Sequence, residues 1–343
     1  MTDQLRVGIV GAGRIGRVHA EHLAFRISQA APVAVADVNV EGARACAHAF
    51  GIPEAVADYR AVIEHPDVEA VLICSSTDTH RAVIEAAAAA GKHVFCEKPI
   101  AATLGEIDRA LAAVDQAGIK FQVGFNRRFD PSYRRVREAV VNGEVGEPHL
   151  LHLVSRDPAP PSAEYAARSG GLFFDMTIHD FDMARFLVGA EVEEVFAMAA
   201  VRVDPAIGAA GDVDTAVVML RFENGVIGTI DNSRRAAYGY DQRAEVFGSA
   251  GSAASENVYP NTVTLSTAER IGRDLPLNFF MERYTESYRA ELQAFVDAVR
   301  NDEPVPVGGR DGRIAVVMSR AARRSHDERR PVRLDEVADG DGD

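Results

Sequence analysis

The run Gly11-Ala12-Gly13-Arg14-Ile15-Gly16 constrains this chain more than any other feature, because it falls between an apolar strand-like run, Leu5 to Val10, and a helix-like stretch beginning at Ile15. Glycines at the first, third and sixth places of such a turn permit a tight bend and a close backbone approach, and the helix N-terminus behind them offers amides to a phosphate. Three spaced glycines alone mean little. The strand–turn–helix setting and a second apolar run, Pro32 to Ala36, give them meaning. Dinucleotide binding through Gly11, Gly13, Arg14, Ile15 and Gly16 is therefore the expectation. Asp37 closes the second run 21 positions beyond Gly16, where a carboxylate accepts both hydroxyls of an adenosine ribose. A 2′-phosphate there would meet like charge, and the nearest following arginine is Arg44, so the implied cofactor is NAD rather than NADP.

At 343 residues the chain is long enough for two cores, and its pattern changes once. From Leu5 to Gly124, short apolar runs alternate with helix-like stretches. The runs are Leu5 to Val10, Pro32 to Ala36, Ala70 to Cys74, His93 to Phe95 and Lys120 to Val123. The stretches are Ile15 to Ala30, Val40 to Phe50, His80 to Ala90 and Leu104 to Ala117. This alternation predicts an α/β fold whose N-terminal domain, residues 1–124, is a Rossmann doubly wound parallel sheet. Beyond Gly124, a helix-like Pro131 to Asn142 leads into strand-like pieces at His149 to Val154, Val192 to Ala200, Thr215 to Phe222 and Val226 to Asn232. Glu223-Asn224-Gly225 joins the last two as a hairpin turn. A C-terminal α+β domain over residues 125–336 is expected, with a mostly antiparallel open sheet and late helices near Tyr284 to Arg300 and Gly312 to Arg324. Residues 337–343 read as an acidic, solvated tail. A sheet with helices on one face leaves the other to solvent or to a subunit partner, so a homo-oligomer is expected.

The net charge of −14 repels phosphate backbones and argues against a nucleic-acid partner. Glycines and a turn follow Val10 too soon for an export signal, and the weakly polar stretch Ala82 to Ala90 carries Glu85 and falls short of a bilayer span. Cys46, Cys74 and Cys96 lie in or beside apolar runs and are odd in number, which suits buried thiols in a reducing cytoplasm rather than disulfides.

Ser75-Ser76-Thr77-Asp78-Thr79-His80 follows the third apolar run, at the carboxyl edge where doubly wound sheets bind ligands. Ser75, Ser76, Thr77 and His80 are thus cofactor candidates, with helix capping by Thr77, Asp78 or Thr79 as a second role. Glu97-Lys98-Pro99 ends the fourth run at the same edge. Lys98 is placed there to donate to a substrate hydroxyl and stabilise it as an alkoxide, and the proline fixes a turn, a cis bond being one way to do so. In the second half, Asp175 and His179 stand at i and i+4 and reach one another if the segment is helical. A carboxylate beside an imidazole sets its tautomer and raises its basicity, as a general base requires. The same histidine with Asp175, Asp180 and Asp182 is also a divalent-metal set on paper, but dehydrogenation with NAD, a lysine and a histidine needs none, and no metal is expected.

Taken in order, GAGRIG, the STDTH loop, EKP and D-x-x-x-H-D resemble the glucose-fructose oxidoreductase, inositol dehydrogenase and rhizopine-catabolism family over nearly the whole chain. The segments GFNRRFD at 124–130, SRDP at 155–158, GGLFFDMTIHDFD at 170–182, VDTA at 213–216 and YGYDQR at 238–243 are similar to its inositol dehydrogenases. The resemblance implies an NAD-dependent dehydrogenase of a cyclic polyol, myo-inositol first, yielding 2-keto-myo-inositol. It implies that His179 receives the hydroxyl proton, Asp175 orients His179 and Lys98 polarises the oxygen, with Glu97 and Lys98 also beside the cofactor. It further implies that Arg127, Asp157, Tyr240 and Tyr284 grip the remaining hydroxyls, and that the chain assembles as a tetramer. Another polyol or sugar (scyllo-inositol, glucose or a rhizopine) stays open, since pocket hydrogen bonds set that choice. So does a dinucleotide-sensing regulator without turnover.

Overall fold

In the computed structural model, which describes residues 4–338, strand β1 (Leu5–Val10) buries every side chain but Arg6, as a strand covered on both faces of a parallel sheet must. It lies centrally in a six-stranded sheet with β2 (Ala30–Ala36), β3 (Glu54–Val56), β4 (Ala70–Ile73), β5 (His93–Glu97) and β6 (Phe121–Gly124). The order is β3-β2-β1-β4-β5-β6 with every pairing parallel. The crossovers carry α1 (Arg14–Phe25), α2 (Val40–Phe50), α3 (Tyr59–Glu64), α4 (Thr77–Ala89) and α5 (Leu104–Ala117). Local chemistry sets their ends. Asn39 accepts the Gly42 N–H and Thr103 accepts the Glu106 N–H at two N-termini, and Gly51 and Gly118 end the same helices in left-handed conformation. The doubly wound parallel sheet is as expected; β3 and α3 are additions to the sequence reading.

The chain divides into two compact units, but not at residue 124. The first runs to Asn126 and also takes in Glu286–Ile314, while the second holds Arg127–Thr285 and, among the described residues, 315–338. The reason lies in α12 (Thr285–Arg300), one face of which supplies Leu292, Phe295 and Val296 to the core built by Leu5, Val7, Ile9, Leu23, Leu72 and Phe95. The expected 125–336 domain therefore lends this helix to the first unit. Of the expected acidic tail, Val337 and Ala338 end a short helix, Asp335–Ala338, and residues 339–343 lie outside those described.

The second unit is built on a seven-stranded sheet of β7 (Pro148–Arg156), β8 (Val192–Ala200), β9 (Thr215–Phe222), β10 (Ile227–Ser233), β11 (Asp241–Gly248), β12 (Gly251–Ser255) and, after the two-stranded pair β13 (Thr264–Ser266) and β14 (Ile271–Arg273), β15 (Val332–Arg333). The order is β12-β11-β7-β10-β9-β8-β15, and only β7 with β10 is parallel. Its helices are α6 (Pro131–Val141), the short α7 (Ala163–Ala166) and α8 (Leu172–Asp175), α9 (Thr177–Val188), α10 (Pro205–Ala209), α11 (Phe280–Arg283) and most of α13 (Gly309–Glu328). Strict alternation along β9 turns Ala216, Val218, Leu220 and Phe222 inward and leaves Val217 and Met219 about half exposed. The outward face carries apolar side chains from neighbouring strands as well: Leu150, Met198, Ile227 and Phe247.

Candidate active site

In the first unit the three glycines of the β1–α1 turn differ in what limits them. A Cβ on Gly11, whose φ is 101°, would stand 2.5 Å from the Cys74 carbonyl carbon, and one on Gly16 would stand 1.9 Å from the Gly11 carbonyl oxygen. Both are bare because the backbone packs against them. Gly13 is exposed, and a Cβ there would meet no protein atom within 4 Å. It is also the N-cap of α1, which no side chain caps. The open space is therefore on the side a phosphate would approach, against a helix N-terminus, and a dinucleotide pyrophosphate fits the residues present. Arg14 is exposed and Ile15 half-buried beside it.

Asp37 stands at the end of β2 and its carboxylate is oriented by the backbone: Oδ2 accepts the Ala12 N–H at 2.7 Å and Oδ1 the Asn39 N–H at 2.8 Å. An ionised carboxylate has about four acceptor sites, so two backbone bonds leave capacity for ribose hydroxyls. The Ser75–His80 loop follows β4. Its helix begins at Thr77 with Ser76 as an N-cap that makes no side-chain bond, which corrects the expected capping by Thr77, Asp78 or Thr79. The Ser75 and Thr79 hydroxyls instead bond each other at 2.7 Å. His80 is buried, with Nδ1 2.8 Å from the Pro99 carbonyl and Nε2 3.1 Å from that of Ser75, so it ties this loop to the Glu97–Pro99 turn. That turn contains a cis Lys98–Pro99 bond, and Lys98 is half-buried.

In the second unit, Asp175 ends α8 and His179 sits in the first turn of α9, with Met176 as the break between them. The segment is thus the end of a four-residue helix and the start of a twelve-residue one, not the single helix on which the i, i+4 pairing was conditional. Asp175 accepts the Tyr165 hydroxyl at 3.0 Å through Oδ1 and the Arg234 Nη2–H at 3.0 Å through Oδ2. Arg234 Nη1 lies 3.5 Å from Asp157 Oδ2, so one buried guanidinium spans two partly exposed carboxylates. Burial pushes the Asp157 carboxyl up to about 6, with the Asp175 charge adding to the rise and Arg234 opposing it.

Arg127, Tyr240 and Tyr284 are buried together. Arg127 donates to Asp180 at 2.6 Å and lies 3.4 Å from both the Ser155 and Tyr240 hydroxyls, with the Tyr284 ring under its guanidinium. Asn232 donates to the other Asp180 oxygen at 2.9 Å, and the Thr177 hydroxyl donates to Asn232 at 2.6 Å. This network joins β7, β10, α9 and the residue just before β11, and it bonds Thr177 and Asp180 on either side of His179. Sequence reading missed Arg234, Tyr165 and Asn232, which no motif marks, and it had Asp180 in a motif but not as the partner of Arg127; the pairs are made across 59, 10, 55 and 53 residues.

A doubly wound sheet with this glycine turn and this carboxylate is the cofactor unit of a dinucleotide-dependent oxidoreductase. A model of an oxidoreductase family with an NAD-binding Rossmann fold matches residues 5–125, and a model of the GFO/IDH/MocA C-terminal domain matches residues 133–254. The chain is 50% identical to a myo-inositol 2-dehydrogenase of Thermotoga maritima over 97% of its own length and 99% of the relative's. It is 45% identical to an inositol 2-dehydrogenase of Rhizobium meliloti over 96% and 99%. A scyllo-inositol dehydrogenase from Lactobacillus casei, solved with NAD(H) and scyllo-inositol, is 33% identical with a TM-score of 0.91, covering 97% of this chain and 99% of that one. The chain belongs to the GFO/IDH/MocA oxidoreductase family; it is an NAD-dependent dehydrogenase. Among the described residues no helix is long and apolar enough to cross a membrane.

Proposed function

We propose that this enzyme oxidises the C2 hydroxyl of myo-inositol to give 2-keto-myo-inositol. The observation that carries the reading is the chain-long similarity to a protein named for myo-inositol, 50% identical with both lengths nearly covered. In this reading His179 takes the hydroxyl proton, Asp175 orients His179, and the Lys98 ammonium stabilises the oxygen as negative charge develops on it. NAD supplies the hydride acceptor at its nicotinamide when bound. Gly11, Gly13, Arg14, Ile15 and Gly16 hold its pyrophosphate, Asp37 its adenosine ribose, and Ser75, Ser76, Thr77, His80, Glu97 and Lys98 line its remaining path. Asp157 binds a further substrate hydroxyl, while Arg127, Tyr240 and Tyr284 act from the buried network that shapes the wall.

The similarity to a scyllo-inositol dehydrogenase makes that isomer the second reading. A panel of myo-inositol, scyllo-inositol, glucose and other polyols, followed by NADH absorbance with NADP in parallel, separates the two. The highest kcat/KM on myo-inositol with NAD supports the first, and preference for another polyol replaces it. The outward sheet face of the second unit suits burial against another copy, and a homotetramer completes the proposal. The three cysteines are free thiols, which fits a reducing cytoplasm.

A further inference from the structure

Behind the Glu97–Pro99 turn, within the first unit, lies a group of side chains that the reaction does not use. His19 of α1 places Nε2 2.7 Å from Glu97 Oε1. Glu291 of α12 is fully buried, and neither of its carboxylate oxygens has a hydrogen-bond partner among the described residues. Ligand atoms of all three lie within 4.8 Å of one another. Two carboxylates this close with no cation between them cannot both ionise in a dry interior without great cost. A divalent ion is one remedy, but ligands at tetrahedral angles about zinc stand roughly 3.3 Å apart, given bonds of about 2.0–2.1 Å. The 2.7 Å separation of His19 and Glu97 is that of a charge-assisted hydrogen bond instead.

We infer that Glu291 holds its own proton at neutral pH, packed as an uncharged carboxyl within 4.8 Å of Glu97 and His19, and that it is a positioning residue for the turn that carries Lys98. Glu97 then receives the His19 N–H alone, and the Glu291 carboxyl stands beside that pair without adding a second charge. Burial raises the Glu291 carboxyl well above the usual range, and the Glu97 charge adds to it. Burial lowers the neighbouring His80 imidazole, which therefore supplies no counter-charge. The Cys74 and Cys96 thiols are raised by burial, and His22 is lowered to about 4 by burial and by His19. Glu97 is further confined by Gly124, where an added Cβ would stand 3.0 Å from Oε2.

The sign of the linkage gives a readout that is independent of catalysis. A carboxyl raised on folding stabilises the fold below its unfolded value, and that contribution is lost as pH rises toward the folded value. Each pH unit in that window weakens the folding constant tenfold per proton. Glu291→Gln, which keeps the shape and a donor but cannot titrate, is therefore expected to lose one proton's worth of this slope between pH 5 and 7 relative to wild type. The infrared C=O band of a protonated carboxyl at pH 7 should be present in wild type and in Glu97→Gln, and absent from Glu291→Gln. For positioning, Glu291→Ala should lower kcat by up to about a hundredfold, the scale of a 1 Å misplacement, with Glu291→Gln restoring it to within a few fold. The activity arm rests on the proposed role of Lys98; the slope and the infrared band do not, so they separate failure of this inference from failure of that role. Equal slopes, no band in wild type or Glu97→Gln, or stoichiometric zinc that Glu291→Gln loses, would overturn the bound proton. Equal activity of the Ala and Gln variants would overturn the positioning role.

Discussion

Arg234 holds Asp175 through an Nη2–H···Oδ2 bond of 3.0 Å while its Nη1 reaches toward Asp157, so the carboxylate assigned to orient His179 shares its cation with a second carboxylate of the same unit. Removing one partner of a buried ion pair leaves the other charge uncompensated, at a cost of about 3–5 kcal/mol. Arg234→Met is expected to destabilise the protein by about 3 kcal/mol in urea and to lower kcat/KM, with Arg234→Lys recovering part of each. A variant as stable and active as wild type would remove Arg234 from the site.

Asp157 gives a pH window. Its carboxyl is raised from 3.8 to about 6, so the stabilisation from its bound proton is complete below pH 4 and lost as pH rises through 6. The size is on the order of 1–3 kcal/mol. Asp157→Asn has no such proton to lose. The difference in urea midpoint between wild type and variant should therefore drift in the variant's favour from pH 4 to pH 7, and a constant difference would contradict the raised carboxyl.

The three turn glycines should separate folding from cofactor binding. Gly13→Ala meets no protein atom, so a stability change within about 1 kcal/mol is expected. Its methyl group intrudes where the pyrophosphate approaches, and losing one charge-assisted hydrogen bond weakens NAD roughly ten- to a hundredfold. Gly11→Ala combines a forbidden φ with overlap on the Cys74 backbone and should cost more than about 3 kcal/mol. Asp37→Ala should weaken NAD and relieve the penalty against NADP, visible in kcat/KM for both cofactors. Unchanged NAD affinity in Gly13→Ala would place the pyrophosphate elsewhere.

The outward sheet face offers Val217 and Met219, two residues apart on one face of β9 and each about half exposed. If this face is buried between copies, Met219→Lys puts a charge into a dry interface and should dissociate the assembly. Sedimentation velocity reads the result directly. A variant that sediments like wild type would move the interface to another surface.

The strongly periodic elements were legible in the sequence because their burial follows a regular period: β1, α2, α5, β8 and β9 fall where apolar runs, alternations or helical stripes lie. β3 and α3 were not, since three strand residues and six helical ones carry too little pattern. The stripe of α12 was visible as Tyr284 to Arg300, but periodicity says that a face is buried and not against what, so its return to the first core escaped. The site divides in the same way. Gly11, Asp37 and Lys98 sit at strand ends where topology gives residues their meaning. Arg234 and Glu291 gain theirs only from contacts with residues far along the chain, such as the 59 positions between Arg234 and Asp175.

The proposed oxidation at C2 is tested most directly by supplying myo-inositol deuterated at C2 with NAD and analysing the reduced cofactor by mass. The label should appear in NADH with wild type, and its rate of appearance should fall roughly 10²–10⁴-fold in folded His179→Ala, the scale of a lost general base. Unlabelled NADH from the same substrate would show that another carbon is oxidised, and no NADH from myo-inositol under conditions where another polyol is turned over would show that the substrate has been misassigned.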